Sequence, residues 1–138
     1  MTWPRQTGSM TAGYSGTPLP RKLGVSPTSR VLVIGAPGGF DPGAPFHRRA
    51  GREPYDVVLL FCPDVATLHE RFDAAAARHT PTGMIWVCWP KRSSGVPTDL
   101  TENLVREHGL EHGQVDVKVA AIDSTWSALK FVTRLRDR

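Results

Sequence analysis

The sequence has few cysteines, no long apolar run and no apolar segment near its N-terminus, which argues against a disulfide-rich secreted protein or a membrane protein. Its two cysteines, Cys62 and Cys88, are too few for the disulfide framework of a small secreted domain. The longest apolar run, Val57–Cys62, is far shorter than the roughly 20 residues that cross a bilayer as a helix. Polar Gly, Ser and Thr occupy the N-terminus, where a secretory signal needs an apolar core. We therefore expect a cytoplasmic protein without a membrane partner.

The remaining composition is typical of one globular unit. The chain has 138 residues, of which 40% are hydrophobic. Its 17 basic residues are scattered among 13 acidic ones and give a net charge of +4, so the excess points only weakly toward anionic ligands. A mixed, solvated surface is expected, and a nucleic-acid partner is not.

The N-terminal part is rich in Gly, Pro, Ser and Thr and cannot bury enough apolar surface to order itself. Residues 1–13 are therefore predicted to be flexible, and residues 14–138 are predicted to form a single α/β domain. The segment Thr17–Gly24 predicts one helical turn, with a proline near its start and Gly24 as its left-handed end.

Three fully apolar runs form the predicted centre of a sheet: Val31–Ala36, Val57–Cys62 and Met84–Trp89. None alternates polar with apolar residues, so each is predicted to be a central parallel strand. The first run breaks into a glycine-rich turn, Gly35–Phe40, which is typical of a strand that meets a nucleotide-type ligand. Only about fifteen residues then precede the next strand, and their prolines and glycines leave no room for a full crossover helix. Part of the usual cofactor site is therefore missing.

Helical periodicity follows the second and third runs. Asp64–His79 predicts a crossover helix with Asp64 as its N-cap and one buried stripe, made of Val65, Leu68, Phe72 and Ala75 or Ala76. After the third run, Thr98 or Asp99 is expected to cap a second helix. Gly109 is expected to end that helix.

The last part of the sequence alternates polar and apolar residues twice. Val115–Val119 and Leu129–Leu135 show this period, and a turn at Asp123–Ser127 separates them. A terminal antiparallel hairpin is predicted. The whole order predicts an α/β fold, a three-layer Rossmann-like sheet with a C-terminal antiparallel hairpin.

This order resembles the C-terminal half of the class I methyltransferase fold, and the first strand resembles the opening motif of that superfamily. The resemblance implies a truncated methyltransferase-like topology. Two acidic residues of the family pattern have no clear counterpart: Val33 takes the place of the first, and for the second the segment His47–Arg49 is basic and Glu53 lies next to Pro54. A nicotinamide dinucleotide site is not predicted either, because Gly35–Gly39 does not fit the Gly-x-Gly-x-x-Gly pattern.

A closer resemblance covers nearly the whole chain from Gly13 onward. The motifs that carry it are Gly13–Leu19, Lys22–Gly24, Tyr55–Phe61, Trp89–Lys91, Ser94–Val96, Thr98–Thr101, Lys118–Val119, Ile122–Asp123 and Trp126–Ser127. As a set they resemble a small, mostly actinobacterial family known as domain of unknown function 3052. This resemblance implies a short cytoplasmic protein with a methyltransferase-like fold, and it supplies no activity, cofactor or catalytic residue.

Ligands of open parallel sheets bind beyond the carboxyl ends of the strands, where three loops of this chain are expected to meet. The loop after the third strand offers donors for phosphate or carboxylate oxygens, next to a helix expected to start near Thr98. The alternative is an ordinary solvated turn. The candidate ligand-binding residues are Gly35, Gly38, Gly39, Trp89, Lys91, Arg92, Ser93, Ser94, Gly95 and Thr98.

No other residues form a convincing reactive set. The cysteines are expected to be inert core residues without a disulfide. The histidines His69, His79, His108 and His112 lack the spacing of metal ligands and are expected on the surface. No catalytic triad or nucleophile elbow is recognisable, so no catalytic residue and no metal are predicted. The cofactor remains unknown.

Three hypotheses for function follow. The first is a non-catalytic binding module for an anionic metabolite or nucleotide at the carboxyl ends of the strands. The second is a shortened S-adenosylmethionine-dependent methyltransferase, for which the strand order argues and the missing acids argue against. The third is a ligand-free interaction domain that pairs with a protein partner or with itself through its N-terminal segment or its hairpin edge.

Overall fold

The structure is a computed structural model and describes residues 16–138. Its helices are α1 (Leu19–Leu23), α2 (Val65–Ala76) and α3 (Glu102–Glu111), and its strands are β1 (Val31–Ile34), β2 (Tyr55–Phe61), β3 (His79–Pro90), β4 (Gln114–Ala121) and β5 (Trp126–Thr133). Two short 3-10 helices cover Arg92–Ser94 and Leu135–Asp137. Within residues 16–138, no helix is long and apolar enough to cross a membrane.

The five strands form one open sheet in the order β1-β2-β3-β5-β4. The pairs β1–β2 and β2–β3 are parallel, whereas β5 runs antiparallel to both of its neighbours, β3 and β4. The predicted α/β fold, the three adjacent parallel strands and the antiparallel terminal hairpin are therefore confirmed. Residues 1–13, predicted to be flexible, lie outside the described residues.

Apolar cores lie on both faces of the sheet. On one face, α2 and α3 cover alternate residues of β2, β3 and β5, such as Leu60, Val87 and Phe131. On the other face, α1 and irregular chain cover the intervening residues, such as Leu59 and Trp86. We call these the helix-side core and the α1-side core. They make the predicted three layers, of which the third is mostly irregular because the proline- and glycine-rich chain between β1 and β2 forms no helix.

The prediction of three central strands is wrong for β1. This strand is four residues long and lies at one edge of the sheet of described residues. Its outer side is nevertheless partly paired, because the Val33 amide donates to the His47 carbonyl at 2.8 Å and the His47 amide donates to the Val31 carbonyl at 2.9 Å. This short cover explains how an edge strand can be fully apolar: its outer backbone groups and both faces are shielded.

Two of the predicted helices are confirmed. Helix α1 ends at Gly24, whose φ of 74° is in the left-handed region. Helix α2 follows the N-cap Asp64, whose side chain accepts a hydrogen bond from the Thr67 amide, and it buries Leu68, Phe72 and Ala75.

The predicted ends of the next helix are wrong. Helix α3 is capped by Thr101 rather than by Thr98 or Asp99, and the Thr101 side chain accepts from the Leu104 amide. The helix also continues through Gly109 to Glu111. Gly109 is required by packing, because a Cβ atom there would lie 2.1 Å from the ring of Phe131 on β5.

The hairpin begins and ends close to its predicted bounds, with one exception. Leu135, predicted in the last strand, lies in a 3-10 helix and is 79% exposed. The turn is held by Asp123, whose carboxylate accepts from the amides of Thr125 and Trp126, both at 2.8 Å. Such a local carboxylate–amide arrangement is typical of Asp in turns.

Candidate functional site

The three parallel strands end at the same edge of the sheet, as expected. Here β1 leads into the glycine turn, β2 into Cys62–Asp64 and β3 into the loop that starts at Lys91. We call this region the carboxyl edge. The parallel pairing of the three strands, which their apolar runs specify, places these loops together.

Gly35 is required by close packing at this edge. Its φ is 74°, and a Cβ atom there would lie 3.1 Å from the carbonyl oxygen of Phe61 and 3.5 Å from a guanidinium nitrogen of Arg71. A side chain would therefore be strained by both conformation and contact. In contrast, Cβ atoms at Gly38 and Gly39 would have no atom within 4 Å, so the outer part of the turn faces open space.

Arg71 of α2 is the functional candidate that sequence reasoning missed. Its guanidinium lies over the glycine turn, and its side chain is 49% exposed. Its ion pair with Glu70 is long, 3.6 Å, and Glu70 is itself 75% exposed. An exposed pair of this kind contributes little energy, so the guanidinium can exchange it for a ligand anion. No local signal in the sequence identifies Arg71, because its position beside the glycine turn depends on how α2 packs across the sheet.

The loop after β3 is a well-formed turn. The Lys91 amide donates to the Thr125 carbonyl at 2.7 Å, and the Ser94 hydroxyl donates to the Lys91 carbonyl at 2.6 Å. Gly95 ends the 3-10 helix with a φ of 79°. Arg92 and Ser93 are exposed and Lys91 is half-buried. The loop therefore presents two cationic side chains, while the Ser94 hydroxyl is used within the turn.

Thr98 and Asp99 do not cap the following helix but bind the β2–α2 loop and the start of α2. The Thr98 hydroxyl donates to the Pro63 carbonyl at 2.7 Å, and the Asp99 carboxylate accepts from the Val65 amide at 2.8 Å. Asp64 already accepts from the Thr67 amide, and this hydrogen bond lowers the pKa of the Asp64 carboxyl. Two carboxylates thus close the N-terminus of α2, which is unavailable to a ligand anion. The expected helix start at Thr98 is absent because this segment folds back onto the β2–α2 loop.

Trp89 points into the helix-side core. It is 6% exposed and belongs to the same buried cluster as Leu100. A ligand can therefore reach little of its surface. On the opposite face, Phe61 packs edge-on against Phe40 and Trp126, with both pairs of ring centroids 5.0 Å apart. These aromatic contacts support the carboxyl edge from the α1 side.

The two cysteines are unsuited to chemistry. The Cys62 amide donates to the Cys88 carbonyl at 2.8 Å, but the two side chains belong to the cores on opposite faces of the sheet. Both thiols are free and buried. Burial raises the pKa of Cys62 to about 12 and raises the pKa of Cys88 well above its ordinary value. Neither thiol is a nucleophile at neutral pH.

Two of the four histidines contradict the surface expectation. His79 and His108 are 7% and 8% exposed. His79 is satisfied by hydrogen bonds to the Thr80 carbonyl and the Gln114 side chain, at 2.6 and 2.9 Å. Among residues 16–138, no group of three or more His, Cys, Asp or Glu side chains is arranged to hold a metal ion.

The segment beside β1 bears directly on cofactor binding. In dinucleotide-binding Rossmann folds, an acidic residue about 20 residues after the glycine turn binds the ribose hydroxyls. In this protein, the segment that pairs with the outer side of β1 carries Phe46, His47 and Arg48. The Arg48 guanidinium lies 5.0 Å from the centre of the Phe46 ring. The segment that pairs with β1 therefore offers a basic surface.

The fold defines a class, the Rossmann-like α/β proteins with the sheet topology of class I methyltransferases. A "putative methyltransferase" from Thermoplasma acidophilum matches 79% of this chain and 70% of its own, with a TM-score of 0.51 and 10% identity. DhpI in its complex with SAH matches 85% of this chain and 71% of its own, with a TM-score of 0.53 and 10% identity. At this identity the likeness shows the fold alone. No protein-family model and no curated protein sequence matches the chain.

Proposed function

We propose that this protein is a single-domain, cytoplasmic, non-catalytic binding module for an anionic metabolite or nucleotide. The ligand lies at the carboxyl edge, between the glycine turn and the loop after β3. The observation that carries this proposal is the position of the exposed Arg71 guanidinium beside Gly35, the one glycine of the turn whose φ and close contacts disfavour a side chain. The resemblance to the domain of unknown function 3052 family is part of the same proposal.

The charges at this edge come from separate elements. Arg71 lies on α2, whereas Lys91 and Arg92 lie on the loop after β3. Cationic side chains presented by two separate elements suit phosphate or carboxylate oxygens, which form short, charge-assisted hydrogen bonds with them. Gly38 and Gly39 add backbone that a ligand can approach closely, since open space lies beside both.

The reactive groups near the edge are already engaged, which supports binding rather than catalysis. The Cys62 thiol keeps its proton at neutral pH because burial raises its pKa to about 12. The hydroxyls of Ser94 and Thr98 both donate to backbone carbonyls. A nucleophile or general base at this edge would need an available lone pair and a suitable pKa, and these three groups lack that combination.

A shortened S-adenosylmethionine-dependent methyltransferase is the second candidate. The fold neighbours favour it, since one is called a methyltransferase and the other is a complex with SAH. The basic segment beside β1 argues against it, because a cofactor ribose there would meet His47 and Arg48 rather than a carboxylate. We therefore rank it second.

Melting curves test the binding proposal. We expect sulfate to stabilise the wild-type protein more than chloride at matched ionic strength, by about 2.7 kcal/mol at a hundredfold excess over the dissociation constant. Arg71→Gln, and Lys91→Ala combined with Arg92→Ala, should each remove most of this stabilisation. Their stability in chloride should change little, because these side chains are exposed or half-buried.

Arg136→Gln is the matched control, since Arg136 is an exposed cation in the last 3-10 helix. This variant should keep the full sulfate effect. Equal sulfate shifts in all four proteins would mean that sulfate acts only by exclusion from the surface, and the binding proposal would then be wrong. That result would favour the ligand-free interaction domain.

A further inference from the structure

A second cluster of positive charge lies on the α1-side face of the sheet. A cleft of about 430 Å³ separates α1 from the end of β4, and the described residues that line it are Thr17, Arg21, Lys22, Lys118, Val119, Ala120 and Ala121. Its size falls within the range of roughly 300–1,000 Å³ that is usual for small-molecule sites. We call it the α1–β4 cleft. Its described lining shares no residue with the set assigned to the carboxyl edge.

The strands beneath the cleft place two lysines opposite each other. Lys118 of β4 pairs directly with Lys130 of β5 in the antiparallel register, and Lys130 pairs in turn with Trp86 of β3. The Lys118 ammonium lies 5.9 Å from the centre of the Trp86 ring. Like charges directly opposite on neighbouring strands destabilise a sheet. Burial, followed by the proximity of Lys118, lowers the pKa of Lys130.

Helix α1 adds further basic residues from the other side. The Lys22 ammonium donates to the Ala121 carbonyl at 3.2 Å and so joins α1 to the end of β4, and Arg21 lines the cleft next to it. The neighbouring Asp123 is turned into the hairpin, where its carboxylate accepts from two backbone amides. The described lining residues include no acid, and residues 1–15 contain no Asp or Glu in sequence. The described lining of the cleft therefore carries cationic side chains without an acidic one.

We propose that the α1–β4 cleft binds a small phosphate-bearing metabolite. The cationic side chains of Arg21 and Lys118 contact the phosphate oxygens, with Lys130 close behind, and Arg21 offers the planar pair of donors that suits a phosphate. The small side chain of Ala120, which lies on the same face of the sheet as Lys118, leaves volume for the ligand. A bound phosphate also reduces the repulsion between the opposed side chains of Lys118 and Lys130.

The test uses inorganic pyrophosphate as the probe and backbone-amide NMR as the readout. At constant ionic strength, we expect saturable shifts at Arg21 and at residues 118–121. Combining Arg21→Gln with Lys118→Gln should weaken binding by about tenfold or more, since each removes a hydrogen bond to a charged group. Both side chains are exposed, so this variant should remain folded. Lys91→Ala with Arg92→Ala is the matched control and should bind at this cleft as the wild type does.

Two results would overturn the proposal. One is the absence of saturable shifts at the cleft, or equal shifts in the Arg21 and Lys118 variant and the wild type. The other is tighter binding of a short oligothymidylate than of pyrophosphate through the same residues, which would assign the cleft to single-stranded nucleic acid. Shifts confined to residues 91–95 would reject this cleft and would support the carboxyl-edge site, so the two proposals fail separately.

Discussion

At the residue scale, Leu59 of the α1-side core shows how the centre of the sheet is packed. Leu59 lies in the middle of β2, in register with Val33 on one side and Trp86 on the other, and none of its surface is exposed. Close-packed interiors tolerate lost volume poorly, because neighbours relax only partly into a cavity. Leu59 is therefore a direct probe of the sheet's central packing.

We predict that Leu59→Ala lowers the free energy of unfolding by about 2–5 kcal/mol, as measured by denaturant titration. The loss combines the transfer of buried apolar atoms with the cavity left behind. Leu135→Ala is the control, because Leu135 is 79% exposed and should cost less than about 0.5 kcal/mol. Similar small losses for both variants would count against a buried β2.

The sequence alone does not show why a glycine is required at a given position. Gly24 and Gly109 both follow apolar helical periodicity, and both were predicted to end a helix. Gly24 does so with a φ of 74°, whereas Gly109 lies inside α3 because the Phe131 ring comes within 2.1 Å of where its Cβ would be. The second cause depends on a residue more than twenty positions later in the chain, and local sequence reasoning cannot find it. Arg71 was missed for the same reason.

At the scale of elements, three imidazoles stack between α2 and α3. The ring centroids of His69 and His108 are 4.7 Å apart, and those of His108 and His112 are 4.0 Å apart. The Nε2 atom of His108 is buried without a hydrogen-bond partner. Burial, followed by the neighbouring His112 and His69, lowers the pKa of His108, and the acidic Asp73 and Glu111 oppose this effect. The folded protein therefore favours neutral His108.

We predict that the protein loses stability as the pH falls through the mildly acidic range. In the unfolded chain His108 takes up a proton near its ordinary pKa of 6.5, whereas the folded state resists protonation. The contribution is therefore fully present above pH 6.5 and is lost below it, by at most about 1.4 kcal/mol per pH unit for one proton. Denaturant titrations at about pH 7.5 and about pH 5.5 measure this change.

His108→Leu should reduce this pH dependence. It should cost little stability at neutral pH, because the leucine removes a buried polar atom that has no partner. His69→Gln changes only the exposed outer ring and should retain most of the dependence. An equally steep loss of stability in the His108→Leu protein would assign the effect to other groups.

The predicted place of β1 and the predicted start of α3 were wrong because both depend on contacts between residues far apart in the sequence. Strand β1 was predicted as central from its apolar run, yet an edge strand can be equally apolar when a segment such as residues 46–48 covers it. Asp99 looked like the cap of the following helix but binds the N-terminus of α2, 34 residues earlier. Both errors arise where a loop folds back onto an earlier element, because helix-cap and strand patterns are local signals.

At the scale of the whole molecule, the apolar runs and helical periods were sufficient for the fold class. Strands that are buried on both faces have continuous apolar sequences, so the apolar runs were sufficient to predict the parallel pairing of β1, β2 and β3. The carboxyl edge follows from that arrangement, and the glycine turn and the Lys91–Gly95 loop lie there. The sequence did not reveal Arg71 or the closed N-terminus of α2, because both depend on how α2 lies across the sheet.

The central claim is that this methyltransferase-like fold binds an anion at its carboxyl edge without using the methyl donor. A ribose at the outer side of β1 would place its hydroxyls beside the segment that carries His47 and Arg48, where the family pattern has a carboxylate. Each unsatisfied polar group in a closed site costs about 1–3 kcal/mol, so two of them weaken binding by orders of magnitude.

Isothermal titration with S-adenosylmethionine tests this claim most directly. The protein used should first show a sulfate stabilisation that the Arg71→Gln protein lacks, which establishes that its anion site is intact. We predict no saturable heat at ligand concentrations up to the order of 1 mM. A low-micromolar dissociation constant for S-adenosylmethionine would contradict the claim and would make the shortened methyltransferase the better description of this protein.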